Sequence, residues 1–218
     1  MTKKIKSPKR KILVIGTGGH ARVVLSLLEE MDGFQIVGLL DKKTIRPGER
    51  IFGYPIVGKT SDMKRFYAQG IRQVALAIGD NRDRQAMSKQ CRKAGFLFPA
   101  LIHPTATVDR HARIAEGAQI CMRAVIGAGA EISQGCIINT ASTVDHESKI
   151  GAFSHVAPGC GVAGRVVIGE GVFLGIGTQV IDKLHIGSWT TVGAGSVVVD
   201  DLPGHVTAYG RPAKVKNS

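Results

Sequence analysis

The chain has 218 residues, 44% of them hydrophobic and 21% charged, with 28 glycines, 5% aromatics and a formal net charge of +12. That is enough to bury a core as one large domain or two small ones, and no apolar run approaches the length of a membrane span, so a soluble cytoplasmic protein is expected. Lys3, Lys4, Lys6, Lys9, Arg10 and Lys11 carry half of the excess charge; the remaining +6 suits small polyanionic ligands, and the absence of an aromatic-rich basic module argues against nucleic acid.

The first hundred residues alternate strand and helix. Residues 1–10 read as a solvated basic tail. Lys11–Ile15 reads as a strand. Ala21–Met31 reads as a helix, with Val24, Leu27, Leu28 and Met31 on one face. Gln35–Leu40 is a second strand, ending at Asp41. Thr60–Gln69 reads as a helix, Gln73–Ile78 as a strand, Asp83–Ala94 as a helix and Phe96–Leu101 as a further strand. The alternation predicts a small Rossmann-like parallel α/β sheet over residues 11–101. The turn Gly16-Thr17-Gly18-Gly19-His20-Ala21 leaves a strand and opens a helix, where backbone N–H groups hold phosphates. It formally fits a dinucleotide fingerprint, but the domain is half the usual double unit and carries no residues for hydride transfer.

At Ile102 the period changes. Every sixth residue from Ile102 to Val198 is aliphatic, seventeen in succession. A second column, four residues after each, is mostly small: Ala106 through Ala130, then Cys136, Ser142, Ser148, Ser154 and Cys160. Such a period describes a triangular coil of three short strands per turn, with both columns pointing inward. Glycine follows the aliphatic residue at Gly127, Gly151, Gly169, Gly175, Gly187 and Gly193, and is expected to supply corner conformations. Residues 102–201 thus form five to six coils, and 202–218 a C-terminal segment. Cys91, Cys121, Cys136 and Cys160 form no C-x-x-C pair and read as reduced thiols; Cys136 and Cys160 fall in the inward column as packing residues.

Of seven histidines, His146 has the strongest context, with Asp145 and Glu147 on either side. A carboxylate bonded to one ring nitrogen sets the tautomer and raises the basicity of the other, which suits a general base. His146 sits at a corner position, so its ring is expected to point outward.

The hexad period resembles the hexapeptide-repeat proteins, whose parallel β-helix is left-handed. The stretch Asn139-Thr140 to Val144-Asp145-His146-Glu147, followed by His155-Val156-Ala157-Pro158-Gly159, together with the Gly-Gly-His-Ala turn and Ile78-Gly79-Asp80-Asn81, resembles the bacterial NeuD/PglD-like family. Its members acetylate nucleotide-linked amino sugars or sialic acid from acetyl-CoA, without a metal. The resemblance implies His146 as catalytic base with Glu147 as its partner, His155 toward acetyl-CoA and Asn139 near the acceptor. It places Gly18, Gly19, His20, Asp41 and Gly79 on the nucleotide sugar. Gly210-Arg211-Pro212-Ala213-Lys214 resembles the superfamily's ending, which puts Lys214 near the CoA phosphates. Gly175 and Gly193, with Gly177 and Gly195, offer N–H groups to the pantetheine arm, although packing corners account for them equally well.

His146 and His155 are nine residues apart, half of an eighteen-residue coil, so they leave one prism on different faces. Both reach one site only if two chains pack side by side, as in the homotrimer that the resemblance implies. Direct N-acetylation of a nucleotide-linked amino-deoxy sugar is the leading expectation. O-acetylation of sialic acid is the alternative, since a His–Glu base serves either acceptor. A zinc hydratase on the same helix finds no fitting spacing among His111, His146, His155 and His185. A non-catalytic nucleotide-sugar-binding protein is the remaining class.

Overall fold

The computed structural model describes residues 9–42 and 48–216. Most of the basic tail therefore lies outside the described residues. Strand β1 (Arg10–Ile15) leads through the glycine turn into helix α1 (Gly19–Glu30), which returns to β2 (Phe34–Asp41). A short hairpin follows, β3 (Arg50–Ile51) and β4 (Tyr54–Lys59), then helix α2 (Met63–Ala68), β5 (Gln73–Leu76) and helix α3 (Asn81–Lys93). The sheet order is β3-β4-β2-β1-β5, parallel except for the β3–β4 hairpin. Ile12–Ile15 are fully buried at its centre, as expected of a parallel sheet covered on both faces. The sequence pattern did not mark the hairpin, whose strands are short and half-exposed. The strand expected at Phe96–Leu101 is also corrected. Only Leu97 bridges to Gln73, and Leu101 already belongs to the first coil.

Seventeen two-residue strands follow, from Leu101–Ile102 to Val197–Val198, in three parallel sheets. Partners are eighteen residues apart, as in Ile126 with Val144 and Ile138 with Val156, so three hexads make each coil of a left-handed β-helix. From Ile120 onward each aliphatic residue of the column is at most 3% exposed. The far end is capped by Leu202 and by a hairpin of Thr207–Gly210 with Ala213–Val215.

From Ala118 onward the small column is buried as well, except at Leu184, and its polar members are satisfied locally. Ser148 Oγ donates to the Ala163 carbonyl at 2.7 Å and accepts from Val166 N at 3.0 Å. Ser154 repeats the pattern with Gly169 and Val172. The thiols of Cys136 and Cys160 point at the carbonyls of Gly151 and Gly175, both at 3.1 Å. All four cysteines are buried and free, and burial pushes Cys91, Cys121 and Cys136 up to about 12 and raises Cys160. Such thiols are inert packing groups.

The reading of the glycines needs a correction. Those directly after the aliphatic column do not have positive φ. They are required because successive coils touch there. A Cβ on Gly151 would come within 2.4 Å of the Gly169 carbonyl carbon, and one on Gly127 within 2.8 Å of His146 N. The left-handed corner lies two residues later, third after each aliphatic residue. It is occupied by glycine at Gly129 and Gly135 but equally by Arg123, Ala141, Glu147, Phe153, Arg165, Lys183 and Trp189, with φ between 55° and 61°.

Helix α3 runs along one edge of the prism. Arg92 pairs with Glu116 at 2.5 Å, Arg84 Nε donates to Gly135 at 2.8 Å, and Asn81 Nδ2 donates to Gly171 at 3.0 Å. From Arg92 back to Asn81 the helix falls about 16 Å at ~1.5 Å per residue. Three coils at ~4.8 Å span about 14 Å. Arg84 also donates to the Phe153 carbonyl at 2.7 Å, so helix and coil repeats stay in step and one helix staples four successive corners.

Candidate active site

The glycine turn is built by the sheet. Gly16, at φ +112°, passes so close to β5 that a Cβ would lie 2.7 Å from the Ala77 carbonyl. Gly18 and Gly19 are different. Neither has positive φ, and a Cβ on either meets nothing within 4 Å. The fold does not demand glycine there; a ligand approaching the backbone would. Both line a pocket of about 480 Å³ with His20, Asp41 and Gly79, so the structure brings all five of these candidates together. Thr17 Oγ1 donates to Asp41, and Lys42 reaches Asp83 across the rim at 3.3 Å.

Two histidines mark the seam between the domains. Gln119 Nε2 donates to the Leu76 carbonyl at 2.7 Å, which turns Gln119 Oε1 toward His20 Nε2 at 2.8 Å. His20 therefore carries its proton on Nε2 and keeps Nδ1 as an acceptor. Burial holds its pKa below the usual value, against the hydrogen bond to Gln119. Asn139 Oδ1 accepts from Thr140 N at 2.8 Å, so its Nδ2 faces His155 Nε2 at 3.0 Å. His155 then carries its proton on Nδ1, which is buried beside the Gly79 backbone. Burial, with Arg84 and His20 nearby, brings His155 down to about 3. The His20 and His155 rings are 6.4 Å apart. His155 opens into a second groove of about 580 Å³ with Gly79, Arg82, Phe173, Trp189 and Thr191. Gly79 lines both cavities.

His146 stands elsewhere, exposed at a coil corner. Its Nδ1 is 3.3 Å from Glu147 Oε2, and its backbone N–H donates to Asp145 Oδ1 at 2.6 Å. Glu147, in the left-handed corner position, also accepts from Arg165 Nε at 2.8 Å, and this bond, with that to His146, holds its carboxyl below the usual range. The ring lies over Gly164, one coil on, where a Cβ would come within 2.3 Å of His146 Nε2. With Nδ1–H directed to Glu147, Nε2 is the nitrogen available as base. Within one chain His146 does not share a cavity with His155 or with the glycine-turn pocket.

The remaining candidates have local structural roles. A Cβ on Gly175 would lie 2.6 Å from Ala194 N, and one on Gly193 2.7 Å from Tyr209 Cβ, so coil stacking requires both. Lys214 Nζ pairs with Asp200 at 3.2 Å on the cap hairpin, exposed.

Four residues of this region were not singled out in the sequence. Gln119 occupies an outward strand position that is usually exposed, yet it is 1% exposed beneath the N-terminal domain. Arg84 reads as a surface residue of α3 but is fully buried. Gly164 and Arg165 lie one coil after His146 and Glu147, and that eighteen-residue offset is the signal by which they are found.

Comparison with known proteins places the chain. The PglD N-terminal domain family matches residues 11–91, and bacterial transferase hexapeptide repeats match residues 165–200. PerB from Caulobacter crescentus, solved with CoA and GDP-perosamine, is 39% identical, with 95% of this chain and 97% of that one aligned at a TM-score of 0.90. The acetyltransferase domain of PglB from Neisseria gonorrhoeae is 35% identical over 95% of this chain and all of its own, at a TM-score of 0.89, and has also been solved with acetyl coenzyme A. Among curated relatives, serine acetyltransferase of Escherichia coli is 30% identical over 136 residues, and the bifunctional protein GlmU of Stutzerimonas stutzeri 39% over 72. The chain spans less than half the length of these two, at 45% and 16%. With two solved relatives above 30% identity aligned over nearly their whole length, the chain belongs to the NeuD/PglD family of hexapeptide-repeat sugar acetyltransferases.

Proposed function

We propose that this chain transfers the acetyl group of acetyl-CoA to the amine of a nucleotide-linked amino-deoxy sugar, with His146 as general base. The observation that carries the reading is the pairing of His146 Nδ1 with Glu147, which leaves Nε2 facing out over Gly164. Nε2 takes a proton from the acceptor nitrogen as that nitrogen attacks the thioester carbonyl. The C–S bond then breaks, the imidazolium returns the proton to the sulfur, and CoA leaves as the thiol. The acceptor side is the pocket of Gly18, Gly19, His20, Asp41 and Gly79, where open backbone N–H groups at the start of α1 suit a diphosphate and Asp41 suits a ribose hydroxyl. Similarity to PerB, solved with CoA and GDP-perosamine, supports a nucleotide-linked amine.

The working form is a homotrimer in this reading. His146 at a corner and His155 on a strand face serve one site only when a second chain lies alongside, with Asn139 and His155 meeting the substrates there. Exposed Val125, Val167, Ile176 and Ile181 on the β-helix supply apolar surface for such packing. Lys214, Gly175 and Gly193 lie toward the CoA nucleotide and pantetheine, and the protein works in the cytoplasm.

The test is thiol release from acetyl-CoA with GDP- and UDP-linked 4-amino-6-deoxy sugars and with free sialic acid, using wild type and His146→Ala. Turnover on a nucleotide-linked amine, lowered in the variant by roughly two decades or more, is expected. Turnover confined to sialic acid, or full activity in the variant, overturns the reading.

A further inference from the structure

The His146–Glu147 pair is completed from the next coil. Arg165 follows Glu147 by eighteen residues, and both occupy left-handed corner positions, at φ 60° and 58°. Their side chains therefore leave stacked corners in the same direction. Arg165 Nε donates to Glu147 Oε2 at 2.8 Å, and the same oxygen stands 3.3 Å from His146 Nδ1. The corner also fixes the ring, since Arg165 N donates to the His146 carbonyl at 2.9 Å and Gly164 lies under the imidazole.

We infer that Arg165 is a positioning residue for the proposed base. It holds Glu147 turned toward His146, and it tempers the pull of that carboxylate on the imidazole proton. A carboxylate alone beside a histidine favours the imidazolium, which cannot act as a base. A carboxylate shared with a guanidinium still orients Nδ1–H but presents little net charge. The surrounding charges agree with this division. Asp145 is spent on the His146 backbone N–H. Asp182 and Lys183, one coil on, pair with each other at 3.3 Å, and Asp182 also attracts the Arg165 guanidinium. The coil before His146 brings only Gly127, Ala128 and Gly129. Arg165 is thus the cation in contact with the pair.

This inference rests on His146 as base, and the experiment separates the two. The imidazole titration of His146 is followed by NMR in wild type, Arg165→Met, Arg165→Lys and Glu147→Gln, beside the pH profile of kcat/KM. In Arg165→Met the titration midpoint moves up, and kcat/KM falls about threefold at pH 6 with little loss at pH 8.5, as an exposed ion pair allows. Arg165→Lys restores most of both. Glu147→Gln moves the midpoint the opposite way and lowers the rate at every pH. A midpoint unmoved in Arg165→Met, or a loss equal at all pH values, overturns the positioning role. Full activity in His146→Ala, with the NMR shifts as expected, would instead remove the base reading and leave the contact standing as structure.

Discussion

Arg84 Nε donates to the Gly135 carbonyl at 2.8 Å, joining the first turn of α3 to a corner of the β-helix fifty-one residues away. The same guanidinium reaches the carbonyls of Ile78, Gly79 and Phe153 and the side chain of Asn81. It holds the loop that lines both cavities against the strand that carries His155. Burial lowers its pKa to about 10, so it stays charged at neutral pH and is satisfied mainly by carbonyls. Arg84→Met leaves several buried carbonyls unpaired and is expected to cost about 3 kcal/mol or more. Urea unfolding checks this, and separate transitions for the two domains would show that the clamp joins them.

Gly18 and Gly19 are glycines that the fold does not require. Gly18→Ala and Gly19→Ala are expected to keep the thermal midpoint of wild type within a few degrees. They should raise KM for the nucleotide sugar about tenfold or more while leaving KM for acetyl-CoA unchanged. A rise in both constants would move the turn away from the acceptor.

Gly164 is the seat of the His146 ring. A methyl there would lie 2.3 Å from Nε2, so Gly164→Ala must displace the imidazole. A displacement near 1 Å is expected to lower kcat roughly a hundredfold. Equilibrium binding of CoA, measured by calorimetry, should be unaffected.

His155 is neutral in the fold and titrates near 3, against 6.5 as the ordinary value. Between these values the unfolded chain binds a proton that the folded chain refuses, so stability falls as pH drops from about 6.5 toward 3 and is fully present above that range. His20, also lowered by burial, adds to the loss in the upper part of the window. The urea midpoint followed from pH 7 to 4.5 should decline in wild type and decline less steeply in His155→Gln. An identical slope in the variant would place the proton uptake elsewhere.

The β-helix was legible because its signal is repeated. Seventeen aliphatic residues at one spacing leave one economical way to bury them, and the partners prove to be eighteen residues apart, as the hexads require. The strand-to-helix placement of the Gly-Gly-His-Ala turn and the outward corner position of His146 were legible because their residues are adjacent in the chain. Short-range patterns failed where packing decides. The β3–β4 hairpin is too short and too exposed to show a period. The glycines after the aliphatic column were assigned to turns, although they are set by contact between coils that no single hexad contains.

The sequence by itself determined the two architectures and the coil length, since these follow from local periodicity; His146 was singled out by its acidic neighbours together with the resemblance to the family. Only the tertiary structure decided that Gln119 sets the His20 tautomer, that Arg84 is a buried clamp and that Arg165 stands on Glu147. Each of those contacts joins residues 18 to 99 positions apart. Their partners are chosen by the stacking of coils and the docking of one domain on the other, which fix distance and burial together.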